Sequence, residues 1–173
     1  QKRIMMAIID TYKDQFRIFS YDEDTTRSQL ISELFRSQGY NYSSFSDQDV
    51  FLDTIKTQIP HIFILFYQPL DMKFRESLNR IRELSGEVEI IILGSNDFWP
   101  GIRSLFKSEL INDFWAWPVA SKEVLQMRVD KLIEKTIFKY IAEQRSDETR
   151  KIVESLDKIQ SEKNKYEVVT HHH

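Results

Sequence analysis

Asp22, Glu23 and Asp24 stand in a row, three carboxylates whose oxygens suit a divalent cation. A solvated helix cap accounts for the same triplet, since Asp side chains followed by Thr25-Thr26 are acceptors for the free N–H groups of a helix start. Ser95 and Tyr67 carry hydroxyls, but a hydroxyl nucleophile needs a neighbouring base. The one histidine outside the terminal His171-His172-His173 is His61, at the opposite end of the same apolar run as Tyr67. Cysteine is absent, which excludes disulfides, thiol catalysis and thiolate-held metals. A lone internal histidine excludes a multi-histidine metal site, and the 4 glycines are too scattered for a phosphate-cradling loop. The expectation is a chain with no catalytic residues, no metal and no cofactor: not an enzyme.

The elements that position these residues follow from hydrophobic patterning. His61-Ile62-Phe63-Ile64-Leu65-Phe66-Tyr67, between Pro60 and Pro69, is a continuous apolar run. Strands buried on both faces look like this, without alternation. Phe16–Ser20 reads as a strand before it, and Asp22–Thr26 opens a helix with Leu30, Ile31, Leu34 and Phe35 on one face, stopped by Gly39. Tyr40–Phe45 is a short strand, and Ser46-Asp47 caps a helix expected to turn Val50, Phe51, Ile55 and Ile59 inward. Asp71 is expected to N-cap a third helix with Phe74, Leu78, Ile81 and Leu84 inward, stopped by Gly86. Val88–Leu93, apolar but for Glu89, is a second continuous strand, Ile102, Leu105, Phe106 and Leu110 mark a fourth helix, and Asn112–Trp117 is the fifth strand. Ile4–Ile9 fits either an added edge strand or a short helix, including one that packs on a partner.

Five strands alternating with five helices predict an α/β fold, a doubly wound five-stranded parallel sheet with right-handed crossovers. Sites in such sheets lie beyond the carboxyl ends of the strands. Tyr21-Asp22-Glu23, Phe66-Tyr67, Gly94-Ser95 and Trp117 are therefore expected around one crevice.

Residues 15–133 resemble the receiver domain of bacterial response regulators, by pattern and spacing rather than by catalytic motif. Arg17–Arg27 is similar to the family's first strand, acidic pair and opening helix; Pro60–Phe66 resembles its central strand. Pro69-Leu70-Asp71 is like a shortened form of its loop, and Asn112–Val119 is like its last strand and cis-proline turn. The resemblance implies a receiver (flavodoxin-like) fold and a five-part site. An aspartate accepts a phosphoryl group, two further acids hold Mg²⁺, and a hydroxyl and a lysine grip the phosphoryl oxygens. Tyr21 falls at the first acid, Asp22 is kept, Phe66 falls at the acceptor, Gly94 at the hydroxyl with Ser95 beside it, and Trp117 at the lysine. Phe114 takes the place of the aromatic that switches rotamer.

Phenylalanine cannot be phosphorylated, and Trp117 removes the cation. The expectation is a phosphorylation-independent pseudo-receiver with Phe66 and Trp117 filling the old phosphate pocket, each ring worth roughly 1.5–3 kcal/mol of apolar burial. Three other readings stand beside it: core aromatics of a different α/β fold, a phosphoaccepting receiver with an atypical site, and a small-ligand or nucleotide sensor. Phe98, Trp99 and Trp115 add aromatics around the fourth helix and fifth strand, a face through which relatives pair; they read equally as packing or interface.

From Ser121 to about Tyr166 there is neither Gly nor Pro, and good helix formers dominate. Val124, Leu125, Met127, Val129, Leu132 and Ile133 are expected to pack on the sheet. Further on, Ile152, Leu156, Ile159, Lys163 and Tyr166 recur at 4-3-4-3 spacing, the seam of a coiled coil. That predicts a parallel homodimer through the C-terminal helix; a frayed linker is the alternative. The expected layout is an N-terminal extension (1–14), the pseudo-receiver (15–133), a helical linker to an output domain outside this chain (134–170) and a tag remnant (171–173). The output domain implied by the resemblance is of the kind exemplified by a cyclic-nucleotide synthase, a phosphatase or a kinase. A formal charge of -3 and a pI near 5.9 argue against nucleic-acid binding. No apolar run approaches the ~20 residues that span a bilayer. Lack of cysteine fits a cytoplasmic, reducing setting.

Overall fold

A computed structural model describes residues 2–67 and 72–171. The elements run α1 (Lys2–Tyr12), β1 (Arg17–Tyr21), α2 (Thr25–Arg36), β2 (Asn41–Phe45), α3 (Gln48–Ile55) and β3 (Ile62–Phe66). They continue with α4 (Met72–Leu84), β4 (Glu89–Gly94), α5 (Trp99–Lys107), β5 (Asp113–Ala116) and α6 (Lys122–His171). The five strands form one parallel sheet in the order β2-β1-β3-β4-β5. This is the doubly wound receiver (flavodoxin-like) fold, with a long C-terminal helix.

The two apolar runs form the middle of the sheet. β4 is buried throughout and β3 up to Leu65, with Phe63 beside Ile90 and Leu65 beside Ile92 in register. Phe19, Phe63, Ile90 and Ile92 share a core with Phe51 and Ile55 of α3, Leu78 and Ile81 of α4, and Ile102 and Leu105 of α5. Alternation sends Ile18, Ile62, Ile64 and Ile91 to the other face. There α2 and α6 bury Ile31, Phe35, Leu125, Val129 and Ile133.

Two expected inward positions point out. Val50 is 56% exposed and Met127 49% exposed. In each helix the buried positions recur every fourth residue (Phe51 and Ile55; Leu125, Val129 and Ile133), and at about 100° per residue Val50 and Met127 lie off those stripes. Ile59 falls beyond the end of α3 and is half-buried.

The caps follow the sequence. Asp24, Asp47 and Ser121 accept backbone N–H groups at the starts of α2, α3 and α6. Gly39 sits at φ 75° just beyond α2, where only glycine is relaxed. Trp117-Pro118 is cis, as the resemblance implied. The cap expected at Asp71 lies outside the described residues. Ile4–Ile9 is helical, within α1.

The chain divides into two compact units, residues 1–137 and 138–173. The second is helical through His171, and its apolar residues Ile152, Leu156, Ile159 and Tyr166 are all exposed. No helix among the described residues is long and apolar enough to cross a membrane.

Candidate functional site at the strand ends

The carboxyl ends of β1, β3, β4 and β5 stand side by side, so Tyr21, Phe66, Gly94 and the Ala116-Trp117 step line one edge of the sheet. Backbone bonds weld the edge: Asp22 donates to the Phe45 carbonyl (3.1 Å), Tyr67 to Leu93 (2.8 Å) and Trp117 to Gly94 (2.7 Å).

The acidic triplet is engaged residue by residue. Asp22 is nearly buried, and its Oδ1 accepts the Asp24 N–H at 2.8 Å. Both its oxygens also accept from Arg27, Nε on Oδ2 and Nη2 on Oδ1, each at 2.9 Å. This is a fork-to-fork pair, the strongest geometry a guanidinium offers a carboxylate. The Asp22 carboxylate raises the Arg27 pKa further above its already high value. Asp24 takes the Thr26 and Arg27 N–H groups as the N-cap of α2, and the Arg27 N–H bond is the main cause holding its carboxyl below the ordinary value. Glu23 accepts the Tyr21 phenol at 3.2 Å.

Arg27 also covers the acceptor position. Its guanidinium carbon lies 3.6 Å from the centre of the Phe66 ring. That ring meets Trp117 edge to face, with centroids 6.5 Å apart and planes at 84°. Asp22, Arg27, Phe66 and Trp117 thus form a continuous stack in which carboxylate, cation and two aromatic rings satisfy one another. A cation over a ring adds roughly 0.5–2 kcal/mol, more as water is excluded. Among the described residues, no three His, Asp or Glu side chains converge as metal ligands would.

Tyr67 explains Gly94. A Cβ on Gly94 would come within 3.1 Å of the Tyr67 Cβ and 3.7 Å of the Phe114 ring. The tyrosine ring packs against Phe74 (5.3 Å) and Phe98 (5.6 Å), and its hydroxyl lies against Gly101. The hydroxyl position of the resemblance is thus the backbone floor under an aromatic. Ser95, beside it, caps the short turn Asn96–Phe98 by accepting the Asp97 N–H at 3.2 Å. Phe114 is half-buried against Trp99, at 6.0 Å.

His61 is not brought to this edge. It lies at the amino end of β3, stacked on Phe16 at 5.0 Å, with Nδ1 accepting the Arg17 N–H at 2.8 Å. Burial, helped by the Arg17 charge, lowers its pKa to about 4. The aromatics near α5 divide: Trp115 is core, whereas Phe98 and Trp99 are 42% and 45% exposed. Ile152, Leu156, Ile159 and Tyr166 belong to the second unit, 59–75% exposed on α6.

The residue that sequence reasoning passed over is Arg27. Its signal was its position, three residues after the N-cap and five after Asp22, where a long side chain folds back over the strand end.

No protein-family model matches the chain, and no curated protein sequence does. Solved structures do. A response regulator from Colwellia psychrerythraea is 22% identical, with TM-score 0.58 over 69% of this chain and 98% of that one. A response regulator receiver domain protein from Clostridium thermocellum is 18% identical, with TM-score 0.60 over 73% and 98%. The adenylate cyclase from Rhodopirellula baltica is 17% identical, with TM-score 0.60 over 78% and 96%. Identities this low speak to the fold, which is that of receiver domains.

Proposed function

We propose that this chain is a response-regulator type signalling module, a pseudo-receiver that works without aspartyl phosphorylation. It acts by protein contact and dimerisation and controls an attached output domain in the cytoplasm. It is not an enzyme. The observation that carries this reading is the Arg27 stack: the acid that remains, Asp22, is held by the protein's own guanidinium, and the same guanidinium covers Phe66 where a phosphoryl group would have to form. A ligand shifts an equilibrium only by its differential affinity for two states. With acceptor, hydroxyl and lysine replaced by Phe66, Gly94 and Trp117, phosphate has no such handle, and the domain stays in one state.

Dimerisation rests on the second unit. Ile152, Leu156 and Ile159 are about 60% exposed at 4-3 spacing, and Tyr166 is 75% exposed. A lone helix carrying an apolar seam is marginal in water, and a second copy covers it. The exposed Phe98 and Trp99 offer a further contact surface at α5. Light scattering with and without a small phosphodonor and Mg²⁺ tests the whole reading. The expected result is a dimer mass in both. A monomer, or a mass that changes with the phosphodonor, contradicts it.

A further inference from the structure

α1 and the first turns of α6 face each other across a half-open groove of about 520 Å³. Lys2, Met5, Met6 and Ile9 form its α1 wall, a spacing that keeps one face over about two turns, and Lys13 follows just past the helix end. Gln126, Asp130 and Glu134, one turn apart each, form the facing wall on α6. Lys13 closes one end: its Nζ donates to the Gln38 carbonyl at 2.6 Å, pairs with Asp10 at 3.0 Å and lies over the Tyr40 ring. Gln38 in turn donates to Gln126 at 2.9 Å.

Two features of this groove stay uncovered. No residue of α1 is buried, Ile4 is 66% exposed and Met6 58% exposed, an unusual state for a helix this apolar. An 11-residue helix has little stability of its own without a covered face. The opposite wall is negative. Among the described residues, neither Asp130 nor Glu134 has a Lys or Arg within ion-pair distance, and Asp130 accepts only the Gln126 amide, at 2.8 Å. Like charges at this spacing disfavour each other. The field reaches the floor of the groove: burial, with Asp130 and Asp10 behind it, pushes the Tyr40 phenol up to about 12.

We propose that this groove docks an amphipathic helix of a partner protein, with an apolar stripe on Met5, Met6 and Ile9 and a Lys/Arg-bearing flank against Asp130 and Glu134. Two facing helical walls of about two turns each, one apolar and the other negative, match a third, amphipathic helix. Methionine side chains adapt to varied apolar partners. The groove shares no residue with the strand-end stack or with the second unit's seam, so it stands or falls independently of both.

The test uses the whole chain and two helical peptides of roughly 15 residues. Both carry a leucine stripe, one flanked by lysines and the other by glutamates, and binding is read by fluorescence anisotropy. The lysine peptide is expected to bind tighter by about tenfold or more, and the preference to invert in Asp130→Lys/Glu134→Lys. Met6→Glu weakens both peptides. All three positions are exposed, so these variants keep the fold, and circular dichroism checks it. Failure of both peptides to bind, equal binding of the two, or unchanged binding in the charge-reversed variant overturns the proposal. Self-association of the wild type that Met6→Glu abolishes assigns the groove to a second copy and overturns it too.

Discussion

The guanidinium of Arg27 lies over Phe66, its central carbon 3.6 Å from the ring centre, while both Asp22 oxygens accept from its nitrogens. One side chain therefore does two jobs, neutralising a nearly buried carboxylate and roofing an aromatic ring. Arg27→Ala leaves Asp22 without its counter-charge and uncovers Phe66. The expected cost is about 1–3 kcal/mol, below that of a fully buried pair because Arg27 is 27% exposed. Urea denaturation measures it. Arg27→Lys keeps the charge but loses the fork, so it should recover only part of the loss.

Gly94 carries a second prediction. Its would-be Cβ meets the Tyr67 Cβ at 3.1 Å, an atom fixed to the backbone, whereas nothing lies within 4 Å of one at Gly86. Gly94→Ala is expected to destabilise by about 1 kcal/mol through overpacking, and Gly94→Thr by more. Gly86→Ala should be neutral. Paired melting curves decide, and equal effects at the two positions would show that Tyr67 does not press on Gly94.

His61 sets a pH dependence. Its folded pKa is about 4 against an ordinary 6.5, so between these values the unfolded chain binds the extra proton. Stability from this site is full above 6.5 and is lost as pH falls toward 4. His61→Asn keeps an acceptor for the Arg17 N–H without titrating. The melting temperature of the variant should fall less steeply across that window than that of the wild type; parallel slopes would remove His61 from the pH response.

The seam of the second unit gives a fourth expectation. Leu156→Asp/Ile159→Asp places two charges at positions 59% and 61% exposed, which a monomeric helix tolerates and a paired one does not. Light scattering should show the variant as a monomer while its helicity at the receiver core is unchanged. A dimer of undiminished mass would move the contact elsewhere, with the exposed Trp99 the next position to change.

Much of this architecture was legible because the two continuous apolar runs at 62–66 and 90–93 leave few alternatives to a parallel sheet. Caps at Asp24 and Asp47 were legible for the same local reason, a carboxylate before a helix. Val50 and Met127 were misplaced because apolar content alone does not reveal helix phase: Val50 adjoins Phe51, and Met127 falls between Leu125 and Val129. The stack was half visible. Phe66 and Trp117 stood out against the resemblance, but Arg27 did not. Its bond to Asp22 follows from position along the chain, but its cover over Phe66 crosses from α2 to the end of β3, a non-local contact that spacing does not encode. Gly94 read as a lost hydroxyl; the Tyr67 contact shows a steric reason for the glycine.

The most direct measurement is the intact mass of the chain after incubation with a small phosphodonor and Mg²⁺. A site whose remaining acid is tied to Arg27 and whose acceptor position is Phe66 predicts an unchanged mass. A gain of one phosphoryl group that hydroxylamine removes, the behaviour of an acyl phosphate, would contradict it.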